Sequence, residues 1–231
     1  MFRVAVTGIG LLSPLGLDVG SFWDGLCAGR SGVDFITEFS TEKLRTDIAA
    51  NVRGFDPKSV LETREIDYTG RVVQLGLAAS LQAVREARLE DVDRTRVGVL
   101  VSSGQGSVEI FVDQVQRAAA RGPRAVSPYF IPSAMPNALS WLIATKLGLR
   151  GPSFNIASAC ATSTHSLAIG ALLILSGDAD VVIAGGGEAA TCPATIAGFG
   201  NARALAKAYQ GDPTRASRPY DKHRNGFVIG E

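Results

Sequence analysis

Short, nearly continuous apolar runs alternate with helical apolar periods almost from one end of the chain to the other, and this alternation limits the folds open to it. The runs Val4-Ala5-Val6-Thr7, Val97-Gly98-Val99-Leu100-Val101, Ser153-Phe154-Asn155-Ile156-Ala157 and Asp180-Val181-Val182-Ile183-Ala184 read as strands buried on both faces. Helical periods lie between them. Asp18 is placed to cap a helix carrying Val19, Phe22, Trp23 and Leu26. A long Ala-rich helix is expected from Asp67 to Arg88, and another over 107–120 with Val108, Phe111, Val112 and Val115 on one face. Further helices are expected over 134–147 and 161–175. Residues 33–63 read as a polar surface excursion, Gly185-Gly186-Gly187 as a tight turn closing the last strand, and 226–231 as the opening of another strand that continues beyond the chain. The fold class is therefore α/β with a mostly parallel sheet. No Pro-, Ser- or Gly-rich linker divides 1–231, so one domain is expected.

Composition removes several function classes. Lys and Arg total 23 against 22 Asp and Glu, a net charge of +1, without the basic excess of a dedicated nucleic-acid binder. No apolar run approaches the ~18 residues of a membrane span. The opening Met1-Phe2-Arg3-Val4 meets Gly8 and Pro14 too early for the apolar core of a secretory leader. The three cysteines, Cys27, Cys160 and Cys192, are widely spaced and form no CxxC pair, which points to a reducing compartment, by default the cytoplasm.

Two glycine clusters invite nucleotide readings, and both fail. Gly8-Ile9-Gly10 follows a strand-like run, but Ser13 stands where the third fingerprint glycine belongs and Pro14 interrupts the helix. Gly185-Gly186-Gly187 lacks the Lys-Ser/Thr of a phosphate loop and is better explained by close backbone approach. The most informative segment is Asn155-Ile156-Ala157-Ser158-Ala159-Cys160-Ala161-Thr162-Ser163, a thiol among small residues where a strand becomes a helix. Unpaired N–H groups at a helix start stabilise a thiolate and can donate to an oxyanion. Free cysteine is also among the most buried residue types, and the residues alone leave nucleophile and core packing both open. Cys27 reads as helix packing, and Cys192, before Pro193, suggests no chemistry. His165 lies five residues after Cys160, about 500° of helical rotation, and projects away from it. His223 falls in a polar turn.

Several motifs follow one family in order. They are Val6-Thr7-Gly8-Ile9-Gly10-Leu11-Leu12-Ser13-Pro14-Leu15-Gly16, Ser127-Pro128-Tyr129-Phe130-Ile131-Pro132, Gly148-Leu149-Arg150-Gly151-Pro152-Ser153, Ala159-Cys160-Ala161-Thr162-Ser163, Gly177-Asp178-Ala179-Asp180, Ala184-Gly185-Gly186-Gly187-Glu188 and Ala216-Ser217-Arg218-Pro219-Tyr220-Asp221 before Asn225-Gly226-Phe227-Val228. Over essentially its whole length the chain resembles the β-ketoacyl-acyl carrier protein synthases, in particular the type II elongating enzymes.

The resemblance implies the first half of a thiolase-like fold, a duplicated α-β-α-β-α layered architecture, with 1–231 as the N-terminal, nucleophile-bearing domain and the C-terminal half absent. It implies that Cys160 accepts an acyl group from acyl carrier protein and contributes its N–H to an oxyanion hole. Malonyl-acyl carrier protein then condenses on that thioester with loss of carbon dioxide, assisted by two histidines and a lysine of the second half. His165 matches a family histidine outside that catalytic pair. Gln105 and Phe199 align with the acyl pocket. Gln105 replaces the usual apolar gate, which leaves room for short, polar or polyketide-like acyl groups. Arg64, Arg121, Arg124 and Arg203 fall near positions that would meet an acidic carrier protein, or else are ordinary solvated charges, and the stretch 65–71 lacks the family's basic cluster. No cofactor and no metal are expected. The implied assembly is a homodimer or a complex with a partner subunit supplying the missing half, with no nucleic acid or membrane. The rival expectation is a non-catalytic or truncated half that binds acyl chain, carrier protein or partner without turnover. Cys160 weighs against a chain-length-factor role, since those relatives have lost the cysteine.

Overall fold

The computed structural model describes residues 3–231; Met1 and Phe2, which open the stretch read above for a leader, lie outside the described residues. In chain order the elements are α1 (Val19–Cys27), β1 (Asp34–Phe35), β2 (Ile48–Ala49), α2 (Thr63–Ile66), α3 (Arg71–Ala87), β3 (Val97–Ser102), α4 (Val108–Arg121), α5 (Phe130–Ala134), α6 (Ala138–Leu147), α7 (Thr162–Leu175), β4 (Val181–Gly186) and α8 (Pro193–Asn201). They fall into two compact units, one formed by the segment ending at Leu11 with Asp56–Glu188, the other by Leu12–Phe55 with Ala189–Glu231. Among the described residues no helix is long and apolar enough to cross a membrane.

The first unit is built on the parallel β3–β4 ladder, in register from Val97↔Val181 to Ser102↔Gly186. All six β3 residues are buried, as expected of a parallel strand covered on both faces. α6 packs on β3, α3 packs on α6, and α7 packs on both strands. Gly170 gives α7 its close approach, because a Cβ there would stand 3.2 Å from Val182 and Ala184. Leu77, Leu100, Leu139 and Ile143 form the fully buried centre.

Several sequence expectations are corrected here. Residues 4–7 are not a strand: β3 has β4 on one side and a single bridge, Val99↔Ser153, on the other, and the chain instead runs along α3. The Ile9 N–H donates to Glu86 Oε2 at 2.6 Å and the Leu11 N–H to Gln82 Oε1 at 3.1 Å. Gly8 and Gly10 are required by this contact, since Cβ atoms there would come within 2.2 Å of Ala83 O and 1.7 Å of Ala79 O. Residues 153–157 make only the one bridge and are otherwise held by side chains. The expected 67–88 helix begins at Arg71, with Gly70 as its N-cap pressed against Ser107. The 134–147 helix divides at Met135, held extended (ψ 141°) by the following Pro136. The glycine run does not close β4 in a turn, because Gly185 and Gly186 belong to the strand. Close approach does hold at Gly186, where a Cβ would come 2.8 Å from Ser102 O. On α4 the apolar residues Phe111 and Val115 are exposed, while Gln114 is buried and accepts from the Ser127 N–H at 2.7 Å.

In the second unit, residues 33–63 are not a polar excursion. Their stretch up to Phe55 supplies the antiparallel pair β1–β2 and much of the core. Ile48 and Ala49, adjacent and therefore on opposite faces, are both buried: Ala49 joins Ile36, Ala190, Ile196 and Ile229, and Ile48 joins Val33, Ala206 and Ala216. Asp18 caps α1 as expected, accepting from the Ser21 N–H at 2.8 Å. The apolar residues of that helix are nevertheless exposed at Val19, Trp23 and Leu26, and Cys27, expected to pack, is exposed as well. The 226–231 stretch forms two isolated bridges, Leu205↔Phe227 and Ala50↔Gly230, and no continuous strand.

Two outcomes follow. Gly10→Ala should cost about 1–3 kcal/mol in urea unfolding, because its Cβ meets helix backbone that cannot step aside. Glu65 of α2 accepts from Lys146 of α6, and that hydrogen bond holds its carboxyl below the usual glutamate range. A carboxyl lowered by folding stabilises the fold above its unfolded pKa, and the contribution disappears as pH falls through the folded value. The melting temperature of Glu65→Gln should therefore fall less steeply than that of the parent as the pH drops below the glutamate range.

Candidate functional site

The thiol is positioned from the buried end of β3. Ser102 is fully buried, and its Oγ accepts from the Ile156 N–H at 3.1 Å and bonds Ser166 Oγ of α7 at 3.0 Å. One hydroxyl thus ties the ladder to the segment before Cys160 and to the helix after it. From α6, Ser140 Oγ donates to Val101 O at 2.7 Å and to Phe154 O at 3.1 Å, fixing the same segment a second time.

After Ile156 the chain turns sharply. Ala159 has φ +50°, a left-handed conformation that costs an L-residue roughly 1–2 kcal/mol. Ala159–Ala161 form a 3₁₀ turn, and α7 starts at Thr162. Cys160 is therefore just ahead of the α-helix, in the turn that leads into it. Its side chain is exposed, so the thiol is open to solvent rather than sealed in the core. Among the described residues no group accepts from the Cys160 backbone N–H, which leaves that donor available. Ser158 is held at both ends: its N–H donates to Thr162 Oγ1 at 3.0 Å, and its hydroxyl shares a 2.7 Å hydrogen bond with His165 Nδ1. His165 Nδ1 is thus engaged by Ser158, two residues before the cysteine, and because Cys160 precedes α7 the helical rotation counted from it does not apply.

The loop after β3 abuts this turn. A Cβ on Gly104 would lie 3.6 Å from the Ala159 Cα. Glu188, following β4, holds the loop, accepting from Ser103 Oγ at 2.9 Å, the Gly104 N–H at 3.0 Å and the Gln105 N–H at 3.2 Å. Asn155 Oδ1 accepts from the Ser103 N–H at 2.9 Å. The Gly104 and Gln105 amides are therefore engaged, whereas the Cys160 amide, beside the sulfur, is a donor without an acceptor among the described residues.

The other candidate residues are dispersed. Gln105 is exposed on the loop held by Glu188. Phe199 is on α8 in the second unit, 38% exposed and edge-on to Phe227 at 5.3 Å between ring centroids. Arg64, Arg121, Arg124 and Arg203 are all exposed. Arg64 donates to Tyr129 Oη at 3.0 Å, an interaction that raises its guanidinium pKa further, and Arg203 adopts φ +57° after α8. Cys192 is buried, with Sγ 3.3 Å from Thr195 Oγ1, and His223 is exposed with its N–H donating to Asp221. A cavity of about 650 Å3 in the first unit is lined by Arg94, Trp141, Arg150 and Phe154 and not by Cys160 or Gln105. Among the described residues no cluster of three or more His, Cys, Asp or Glu could hold a metal ion. Ser102, Asn155, Ser158 and Glu188 were not singled out by the sequence as site residues. The one local signal was Glu188, a lone acid directly after three glycines.

The sequence pattern described as "Beta-ketoacyl synthase, N-terminal domain" matches residues 1–231. The chain belongs to this family. It is 41% identical over 231 residues to the 3-oxoacyl-[acyl-carrier-protein] synthase 2 of Vibrio cholerae serotype O1, covering 99% of this chain and 56% of that protein. It is 42% identical to the enzyme of the same name from Coxiella burnetii, again over 99% of this chain and 56% of the relative. Among solved structures, the ishigamide ketosynthase/chain length factor superposes with a TM-score of 0.84 at 30% identity, over 96% of this chain and 54% of that one. The chain thus spans little more than half the length of these relatives, and its fold is that of the N-terminal half of the thiolase-like ketosynthases.

Removing the buried Ser102 hydroxyl leaves the half-buried Ile156 N–H without an acceptor. Ser102→Ala should lower unfolding free energy by about 1–3 kcal/mol in urea titration.

Proposed function

We propose that this chain is the nucleophile-bearing half of a 3-oxoacyl-acyl carrier protein synthase, with Cys160 as the acyl acceptor. The observation that carries this reading is the exposure of Cys160 in the Ala159–Ala161 turn ahead of α7. As a thiolate, Cys160 attacks the carbonyl carbon of an acyl thioester on the carrier protein, and the Cys160 N–H donates to the oxygen as it becomes an oxyanion. Collapse of that adduct expels the carrier thiolate and leaves the acyl group on Sγ. The carbanion generated when malonyl-acyl carrier protein loses carbon dioxide then attacks the acyl-enzyme carbonyl. A carbon–carbon bond forms, the C–S bond breaks, Cys160 is released as thiolate, and a 3-oxoacyl product remains on the carrier. In this reading Gln105, on the loop against the Cys160 turn, contacts the acyl group, its amide favouring short or polar chains, and the proposal for Phe199 rests on the family resemblance alone. Arg64, Arg121, Arg124 and Arg203 are the proposed contacts for the acidic carrier. No cofactor takes part.

The groups that decarboxylate malonate are assigned to the second half of the fold, outside these 231 residues. The packing of α7 supports this. From Leu167 to Leu175 its residues are apolar on every side, yet in the whole helix only Thr162, Ser166 and Gly170 are buried, a single stripe facing the ladder, while Leu167, Leu172 and Leu175 are exposed. A helix apolar on every side belongs inside a larger core. The same face favours a second reading, in which the chain acts as a structural half that binds a partner without turnover.

Intact mass after incubation with a hexanoyl pantetheine thioester separates the two. One hexanoyl adduct is expected, absent in Cys160→Ala and retained in Cys192→Ala and Cys27→Ser. An adduct that survives in Cys160→Ala, or none in the parent chain, favours the structural reading. Decarboxylation of malonyl thioester by the chain alone would contradict the assignment of that step to a second half.

A further inference from the structure

We infer that the Ser158–His165 hydrogen bond is a positioning clamp for the Cys160 thiol, an inference that rests on reading Cys160 as the acyl acceptor. The turn carrying Cys160 is strained: Ala159 sits at φ +50° with a Cβ to accommodate, and Ser158 before it has left the extended region, at φ −142°, ψ 40°. Such a conformation persists only where its surroundings over-determine it. Here the determination comes from ties that straddle the cysteine. The Ala161 N–H donates to Ser158 O at 3.1 Å, and the Ser158 N–H donates to Thr162 Oγ1 at 3.0 Å, with Thr162 buried at the base of α7. These two are short-range and close only the turn itself. The third, Ser158 Oγ to His165 Nδ1 at 2.7 Å, reaches one full turn up α7 and is the shortest of the three.

The roles of the two side chains follow from this geometry. α7 is fixed at Ser166 by the buried Ser102 hydroxyl and at Gly170 by contact with Val182 and Ala184, so the His165 backbone next to Ser166 is firmly placed. The imidazole transmits that rigidity to Ser158, two residues before the sulfur. The thiol, although exposed, is thereby held between two fixed points, residue 158 and the start of α7. His165 does not act on the thiol; its ring nitrogen Nδ1 is engaged by the Ser158 hydroxyl. It is a positioning residue, acting through the chain that carries Cys160. A hydroxyl can donate to an unprotonated Nδ1 or accept from a protonated one, so the link is available to either form of the ring.

Replacement of each end in the full chain tests the clamp. His165→Ala and Ser158→Ala should each slow acylation of Cys160 by a hexanoyl pantetheine thioester about tenfold or more, because small misplacement of a nucleophile is expensive in rate. The double variant should be no slower than the slower single one, since both remove the same interaction. His165→Asn, whose amide can occupy the place of Nδ1, should recover the rate to within about threefold. Deuterium exchange across residues 155–166 should rise in both alanine variants and return in His165→Asn. Additive losses, an unchanged rate in both alanine variants, or no recovery with asparagine would each overturn the clamp. Failure of the functional reading looks different: the parent chain would then take up no acyl group at Cys160. In that case alkylation of Cys160 by iodoacetamide, together with the exchange data across the same four variants, still decides. A non-additive pattern with asparagine recovery supports the clamp, and unchanged or additive behaviour refutes it.

Discussion

The hydroxyl of Ser102 organises the chemistry-bearing part of the molecule. It stands at the end of a fully buried parallel strand, where an unpaired polar group is costly, and it meets two partners that belong to different parts of the chain. Because Ile156 and Ser166 both bond it, the strand-like segment and α7 are held at a fixed separation, and the chain between them has ten residues' span ends pinned to one point. A sharp turn is the consequence, and the left-handed Ala159 is where the backbone absorbs it. Cys160 is exposed because it follows that corner, on the outside of a junction whose inside is sealed.

Polar side chains take over where the ladder ends. The β3–β4 register ends at Ser102↔Gly186, and the backbone donors of residues 103–105 are met by the carboxylate of Glu188 and the amide of Asn155. This is the usual demand that backbone groups find partners, satisfied by side chains instead of a neighbouring strand. It also sorts the amides near the sulfur. Those of Gly104 and Gln105 are occupied, and that of Cys160 has no acceptor among the described residues.

The sequence disclosed the elements that have a strong period and left out those defined by partners. β3, β4, α4 and α7 were legible because continuous β-branched runs and long apolar periods are local properties. Residues 4–7 carry the same local signal yet make no ladder, since a strand is completed by another strand, and the chain just after them, at Ile9 and Leu11, bonds to α3 instead. Residues 33–55 read as polar, yet Val33, Ile36, Ile48 and Ala49 fill two core clusters, because two-residue strands are too short for alternation to be seen. The apolar faces of α1 and α4 were readable as faces, but which surface they meet is not a local property.

For the site, the sequence by itself determined the nucleophile candidate, its small neighbours and its place ahead of the helix that became α7. Each of these depends on residue identity and on a local apolar period, and both are written along the chain. Only the tertiary structure decided that Cys160 is exposed while Cys192 is buried, that Ala159 takes a left-handed conformation, and that Ser102, Glu188 and the Ser158–His165 pair hold the surrounding backbone. The physical reason is that a buried donor or acceptor accepts whichever partner packing brings within about 3 Å. The partners of Ser102 and Glu188 lie 54 to 85 residues away in sequence, where no periodicity connects them.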